Sequence, residues 1–171
     1  VRTSPNDHVW YGEVVDPAQA LPTISLNNTV NTPILDELNN AFYLDNWSNA
    51  APTSISFGNN SNIKSIKKFK GLEPPDITDM HRMFYGCRSL TSLDLSNFDT
   101  SKVTNISEMF YYCSSLTSLD ISNFDTSKVK NIQDIFRDCS SLTSLDISNF
   151  DISNVIYERA TFSGCNSLTD I

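Results

Sequence analysis

From residue 83 onward, apolar positions return every 26 residues without slip. Phe84, Phe110, Phe136 and Phe162 recur on that period, as do Cys87, Cys113, Cys139 and Cys165, and Leu90, Leu116, Leu142 and Leu168. Full copies start at Met83, Met109 and Ile135, and a partial one runs from Thr161 to Ile171. A fixed period between about 20 and 50 residues marks a solenoid, in which each unit buries its apolar face against its neighbours. Within a copy, L-x-x-L-x-L-x-x-F (Leu90, Leu93, Leu95, Phe98) predicts a strand. Alternation sends Leu93 and Leu95 inward and Ser92, Asp94 and Ser96 outward. Val103, Ile106, Met109, Phe110 and Cys113 then follow helical spacing, and Asn105 with Glu108 fits a helix start that Asn131 and Asp134 repeat in weaker form. Strands stack at about 4.7–4.9 Å and packed helices at about 8–10 Å, so such units must curve. The expectation is an α/β leucine-rich-repeat solenoid with parallel strands on its concave face and short helices on its convex face.

Upstream the pattern loosens. Residues 63–82 read as a degenerate repeat: Ile77 and Met80 lie 26 residues before Val103 and Ile106, whereas Ile63 and Ile66 match Leu90 and Leu93 at 27. One inserted residue, most simply Lys67 or Lys68, reconciles the two, and Lys67 then faces Asp94 across the strands. Thr32, Pro33, Asp36 and Glu37, followed by Leu35, Leu38 and Phe42 on one face, predict a helix fading by Asn46, with Trp47 covering the end of the core. VWYGEVV (9–15), TISL (23–26) and ISF (55–57) are strand-like. Residues 1–62 are therefore expected to form an N-terminal α/β cap, and residues 63–171 the repeats.

The phrases CxSLTSLDLSNFDTSKVTN and MFYxC resemble the bacterial surface-protein class of BspA-like leucine-rich repeats, in its 26-residue branch, over roughly residues 63–171. Thr161 stands where that pattern has Met, and Val155-Ile156-Tyr157-Glu158 replaces its Val-Thr-Asn-Ile core. The resemblance implies an extracellular, cell-surface protein with an adhesin-like role toward host or neighbouring-cell proteins, and no catalytic site.

Charge narrows the partners further. Twelve basic against twenty acidic residues give −8, which argues against nucleic acid and anionic membranes. No run of 18 apolar residues occurs, so nothing here reads as a membrane span. The start at Val1 and the end inside a repeat read as a piece of a longer protein.

The four cysteines sit one repeat apart and form a column, not the convergent cluster that zinc requires, so no metal is expected. Buried free thiols fit a column better than disulfides, whose Cβ atoms must face each other; an exported setting argues the other way. Asp99, Asp125 and Asp151 read as local turn formers. Asp94, Asp120 and Asp146, with Ser92, Ser96, Ser118, Ser122, Ser144 and Ser148, form the candidate binding strip for a basic protein surface, or else a solvated charge row. His8 and His81 neighbour no plausible nucleophile and no catalytic motif occurs, so the expectation is a non-catalytic binding module without a cofactor. The alternative is an inert spacer, favoured by the identity of the outward residues from copy to copy.

Overall fold

The computed structural model describes residues 11–16, 19, 23–26, 29–31, 34–36, 41–43, 54–68, 77–96 and 98–171. Trp10, Trp47 and His8 lie outside the described residues. Among the described residues eight strands occur: β1 (Tyr11–Val14), β2 (Ile24–Leu26), β3 (Thr29–Asn31), β4 (Ile34–Asp36), β5 (Ala41–Tyr43), β6 (Ile55–Ser56), β7 (Ile63–Lys68) and β8 (Ser92–Leu93). They form a five-stranded sheet in the order β4-β5-β1-β7-β8 and a three-stranded sheet in the order β3-β2-β6.

Strand β7 joins two kinds of structure. On one side it pairs antiparallel with β1; on the other it pairs parallel with β8, Ser65 against Ser92 and Ile66 against Leu93. That register is the 27-residue spacing, and Asp79 already pairs with Asn105 at 26, so the extra residue falls between Ile66 and Asp79. Chain edges that would otherwise be unpaired are thereby covered by antiparallel strands from the N-terminal region. Val14, Ile24 and Ile55 contribute to the same buried core as Ile63, Ile66 and Phe84.

Beyond β8 the chain stacks in layers held by hydrogen bonds that run along the stack. Single parallel bridges link Ser54 to Asp79, Asp79 to Asn105, Asn105 to Asn131 and Asn131 to Tyr157. The stack therefore begins at Ser54, a layer earlier than the degenerate repeat that the sequence suggests. Phe57, Phe84, Phe110, Phe136 and Phe162 stack face to face through its interior, with centroids 5.5–5.7 Å apart and ring planes within 13°. Offset stacking at this distance adds to the burial energy of the rings. Met83, Cys87, Leu90, Leu95, Val103, Ile106 and their equivalents fill the space around that column.

The α/β leucine-rich-repeat solenoid is not what the chain forms. No α-helix occurs among the described residues, and pairing of repeat strands is limited to β8 and isolated bridges. In the expected convex helix, Glu108 and Tyr112 have φ of 54° and 61°, as do Asp134 and Asp138 (54° and 58°) one layer on. Left-handed residues end a right-handed helix and cost a non-glycine residue about 1–2 kcal/mol each.

The amides also point elsewhere. Ile106, Glu108, Phe110 and Tyr112 donate to Asn131, Gln133, Ile135 and Arg137 of the next layer, while Met109, Tyr111 and Cys113 close turns onto Ile106, Glu108 and Phe110. Every second amide thus serves the stack and the rest serve the turn, which leaves none for an α-helical ladder. Rings at 5.5–5.7 Å leave no room for helices, which need about 8–10 Å. Parallel bridges through Asp79, Asn105 and Asn131 put this side of successive layers at strand spacing as well, so the expected curvature loses its cause.

Within the expected helix over 32–46 the described residues are strands instead: β4 and β5 pair antiparallel, Ile34 with Tyr43 and Asp36 with Ala41, and β5 then pairs with β1. Three apolar residues at helical spacing are a weak local signal beside an available strand partner. Among the described residues, the regular structure of the N-terminal cap is therefore strands and no helix. The strands expected in 9–15, 23–26 and 55–57 correspond to β1, β2 and β6.

Phe110 sits mid-column with a ring stacked on each face. Phe110→Ala is expected to cost about 3–5 kcal/mol, and exposed Ser118→Ala less than about 0.5 kcal/mol, in chemical denaturation. Comparable losses from both would mean that the ring column does not carry the stack.

Candidate functional site

Each of three successive layers is cornered by three short polar turns of one design. An Asp or Asn side chain accepts the backbone amide two residues on. Asp79, Asn105 and Asn131 do so for His81, Ser107 and Gln133 at 2.9–3.0 Å. Asp94, Asp120 and Asp146 do so for Ser96, Ser122 and Ser148 at 2.9–3.0 Å. Asp99, Asp125 and Asp151 do so for Ser101, Ser127 and Ser153 at 2.9–3.0 Å. Short polar side chains that bond their own backbone favour such turns over helix or sheet. Asn105 and Asn131, read from sequence as helix starts, are turn formers instead.

All nine residues of the candidate strip are exposed: Ser92, Asp94, Ser96, Ser118, Asp120, Ser122, Ser144, Asp146 and Ser148. Ser118, Asp120, Ser144 and Asp146 come together in one groove of about 510 Å³ whose floor is Leu119 and Leu145. Asp170 completes it, standing at a serine position of the repeat where the sequence pattern marks no carboxylate; its backbone bridges Ser144. Ser92, Asp94, Ser96, Ser122 and Ser148 lie outside the groove. Hydrogen bonds from Ser122 and Ser148 hold the Asp120 and Asp146 carboxyls below the usual carboxylate value. The groove therefore stays anionic at any ordinary pH, and each carboxylate keeps a second oxygen for an incoming donor.

The other polar columns staple one layer to the next. Asn123 donates to the Leu95 and Phe98 carbonyls of the preceding layer at 2.9 and 3.1 Å, and Asn149 repeats this on Ile121 and Phe124. The buried Thr100 hydroxyl accepts the Asp125 amide at 2.7 Å, and Thr126 accepts that of Asp151. His81 Nδ1 lies 2.8 Å from the Ser107 hydroxyl, but Ser107 is buried and held by Asn105, so the pair offers no accessible nucleophile.

The residues of this site occur in a family that carries no functional assignment: the description "Mycoplasma protein of unknown function, DUF285" matches residues 44–171. The chain belongs to the DUF285 family. No curated protein and no solved structure matches it. The matched region contains the whole stack and the groove, and begins within the stretch expected to be the N-terminal cap.

All four cysteines are free. Each thiol donates to the phenylalanine carbonyl of the layer before: Cys87 to Phe57, Cys113 to Phe84, Cys139 to Phe110 and Cys165 to Phe136, at 2.9–3.2 Å. Burial pushes the Cys87 and Cys139 thiols up to about 12 from 9.0, and raises those of Cys113 and Cys165. Across that window the unfolded chain releases thiol protons that the fold retains, so stability falls as pH rises. Carboxyls held below 3.8 in the fold act in the opposite sense, and their contribution is lost on acidification.

The denaturation midpoint should accordingly hold steady near neutrality, then drop above about pH 9 and below about pH 4. A thiol reagent should find Cys87, Cys113 and Cys139 unreactive in the native protein, Cys165 slow, and all four reactive in denaturant. Prompt native reaction of all four would contradict the buried column.

Proposed function

We propose that this DUF285 chain is a non-catalytic, adhesin-like protein-binding module of a bacterial cell-surface protein. In this reading the serine–aspartate groove meets a basic surface on a host or neighbouring-cell protein. The observation that carries the proposal is the convergence of Asp120, Asp146 and Asp170, two of them with lowered carboxyl pKa, in one open groove with an apolar floor. Carboxylates already oriented by their serine bonds lose little freedom on meeting an arginine or lysine. The stack repeats that geometry at each layer, which lets weak contacts add along the array. The extracellular setting rests on the resemblance to the BspA-like repeats.

A second reading, the inert spacer, has an observation of its own. Every aspartate of the strip also closes a turn, so its recurrence follows from architecture without any partner.

Asp94→Asn, Asp120→Asn and Asp146→Asn combined separates the two. Asparagine keeps the turn-closing oxygen and removes the charge. Attachment to immobilised basic matrix protein should weaken several-fold in the triple variant, and salt should weaken the wild type in the same way, since exposed charges are screened beyond about 8 Å at physiological ionic strength. Equal attachment by wild type and variant at low salt would remove the groove from the mechanism, and no attachment by either would leave the spacer.

A further inference from the structure

Each layer has a second strip, half-buried at most positions and buried at Gly86 and Asp134, and here the copies cease to agree. Equivalent positions hold Arg82, Glu108 and Asp134; Tyr85, Tyr111 and Arg137; and Gly86, Tyr112 and Asp138. The half-exposed rings of Tyr111 and Tyr112 stack at 4.3 Å, and Tyr85 meets both edge-on at 5.2 and 6.2 Å. Arginines lie over them: Arg82 over Tyr85 at 4.8 Å, Arg88 over Tyr112 at 4.7 Å and Arg137 over Tyr111 at 5.3 Å. We propose that Tyr85, Tyr111, Tyr112, Arg82 and Arg88 form a docking surface for an acidic peptide segment of a partner protein.

Three observations carry this. The first is backbone strain: Tyr112 has φ of 61°, at a position that the first and last copies fill with Gly86 and Gly164. The fold alone would favour glycine there, so the aromatic ring is held against the local backbone preference. The second is rigidity. The rings are fixed by one another and by the guanidiniums, and a preordered tyrosine–arginine surface loses little entropy on binding, which is why these residue types are enriched at interface hot spots.

The third is unequal charge pairing. Glu108 holds Arg82 at 2.8 Å, and Asp134 and Asp138 hold Arg137 at 3.3 and 3.7 Å. Arg88 is exposed, and no carboxylate pairs with it among the described residues. Its planar fork, stacked on Tyr112, suits bidentate capture of a carboxylate. The ring faces are covered by guanidiniums, which leaves little for a sugar ring to stack upon, whereas rims and hydroxyls suit a polypeptide. The surface is separate from the serine–aspartate groove and does not depend on it.

The probes are 15-residue synthetic peptides in pairs that differ only by Glu or Gln, with a sulfated polysaccharide as the competing class of ligand. Binding by the intact chain should favour Glu members by about tenfold, in keeping with a charge-assisted contact. Arg88→Ala and Tyr112→Gly should each reduce it by about tenfold, and Arg88→Lys should restore it only in part. Tyr112→Gly should melt no lower than the wild type, so its loss of binding cannot be a loss of fold. The Asp94, Asp120 and Asp146 triple variant should bind the peptides undiminished, which separates this surface from the groove. Equal binding of Glu and Gln peptides, undiminished binding by the Arg88→Ala and Tyr112→Gly variants, or binding of the polysaccharide but no peptide would each overturn the proposal.

Discussion

The structure depends on one constraint: every layer must offer hydrogen bonds to the next at the spacing of stacked aromatic rings. The phenylalanine rings stack with centroids 5.5–5.7 Å apart, and the amides of Ile106, Glu108, Phe110 and Tyr112 donate along the same direction. Once amides are committed in that direction the segment cannot be helical, and left-handed residues at 108 and 112 follow. The cysteines belong to the same constraint. A small side chain that is both apolar and a weak donor fits beside the rings and satisfies a carbonyl of the previous layer.

Polar repetition has two distinct origins here. Asn123, Asn149, Thr100 and Thr126 recur because they bond backbone between layers. The aspartates recur because they close corners, and only in doing so do they array their charge on the surface. The groove is thus a by-product of turn chemistry. The tyrosine–arginine strip has the opposite character: its residues differ between layers and Tyr112 opposes its own backbone, so architecture does not account for it.

The two ends of the described region also differ in how their edges are treated. Toward the N-terminus, β1 and β2 pair antiparallel with β7 and β6, turning the stack's own hydrogen-bonding edge into ordinary sheet. Toward the C-terminus, Ile152, Ile156, Tyr157 and Ile171 are largely exposed. Ile152 stands where Thr100 and Thr126 link successive layers, so the polar link of the earlier layers is replaced there by an apolar side chain.

The sequence by itself determined the repeat, its period, the single inserted residue before Asp79, most of the apolar positions that are buried (Leu93, read as inward, is only half-buried), and which serines and aspartates face outward. Periodicity is carried by identical side chains in identical surroundings, so it survives whatever backbone conformation joins them. It could not determine that conformation. Val103, Ile106, Met109, Phe110 and Cys113 lie at spacings that a helix would bury on one face, and a chain of turns buries the same residues. The choice rests with partners 25 residues away, the carbonyls of Asn131, Gln133 and Ile135, which no local window contains. The same holds for residues 34–36 and 41–43, where β4 pairs with β5 and β5 with β1 in place of a helical pattern. Asp170 entered the groove only through stacking on Ser144, and the tyrosine–arginine strip became visible only when layers brought residues 26 positions apart into contact.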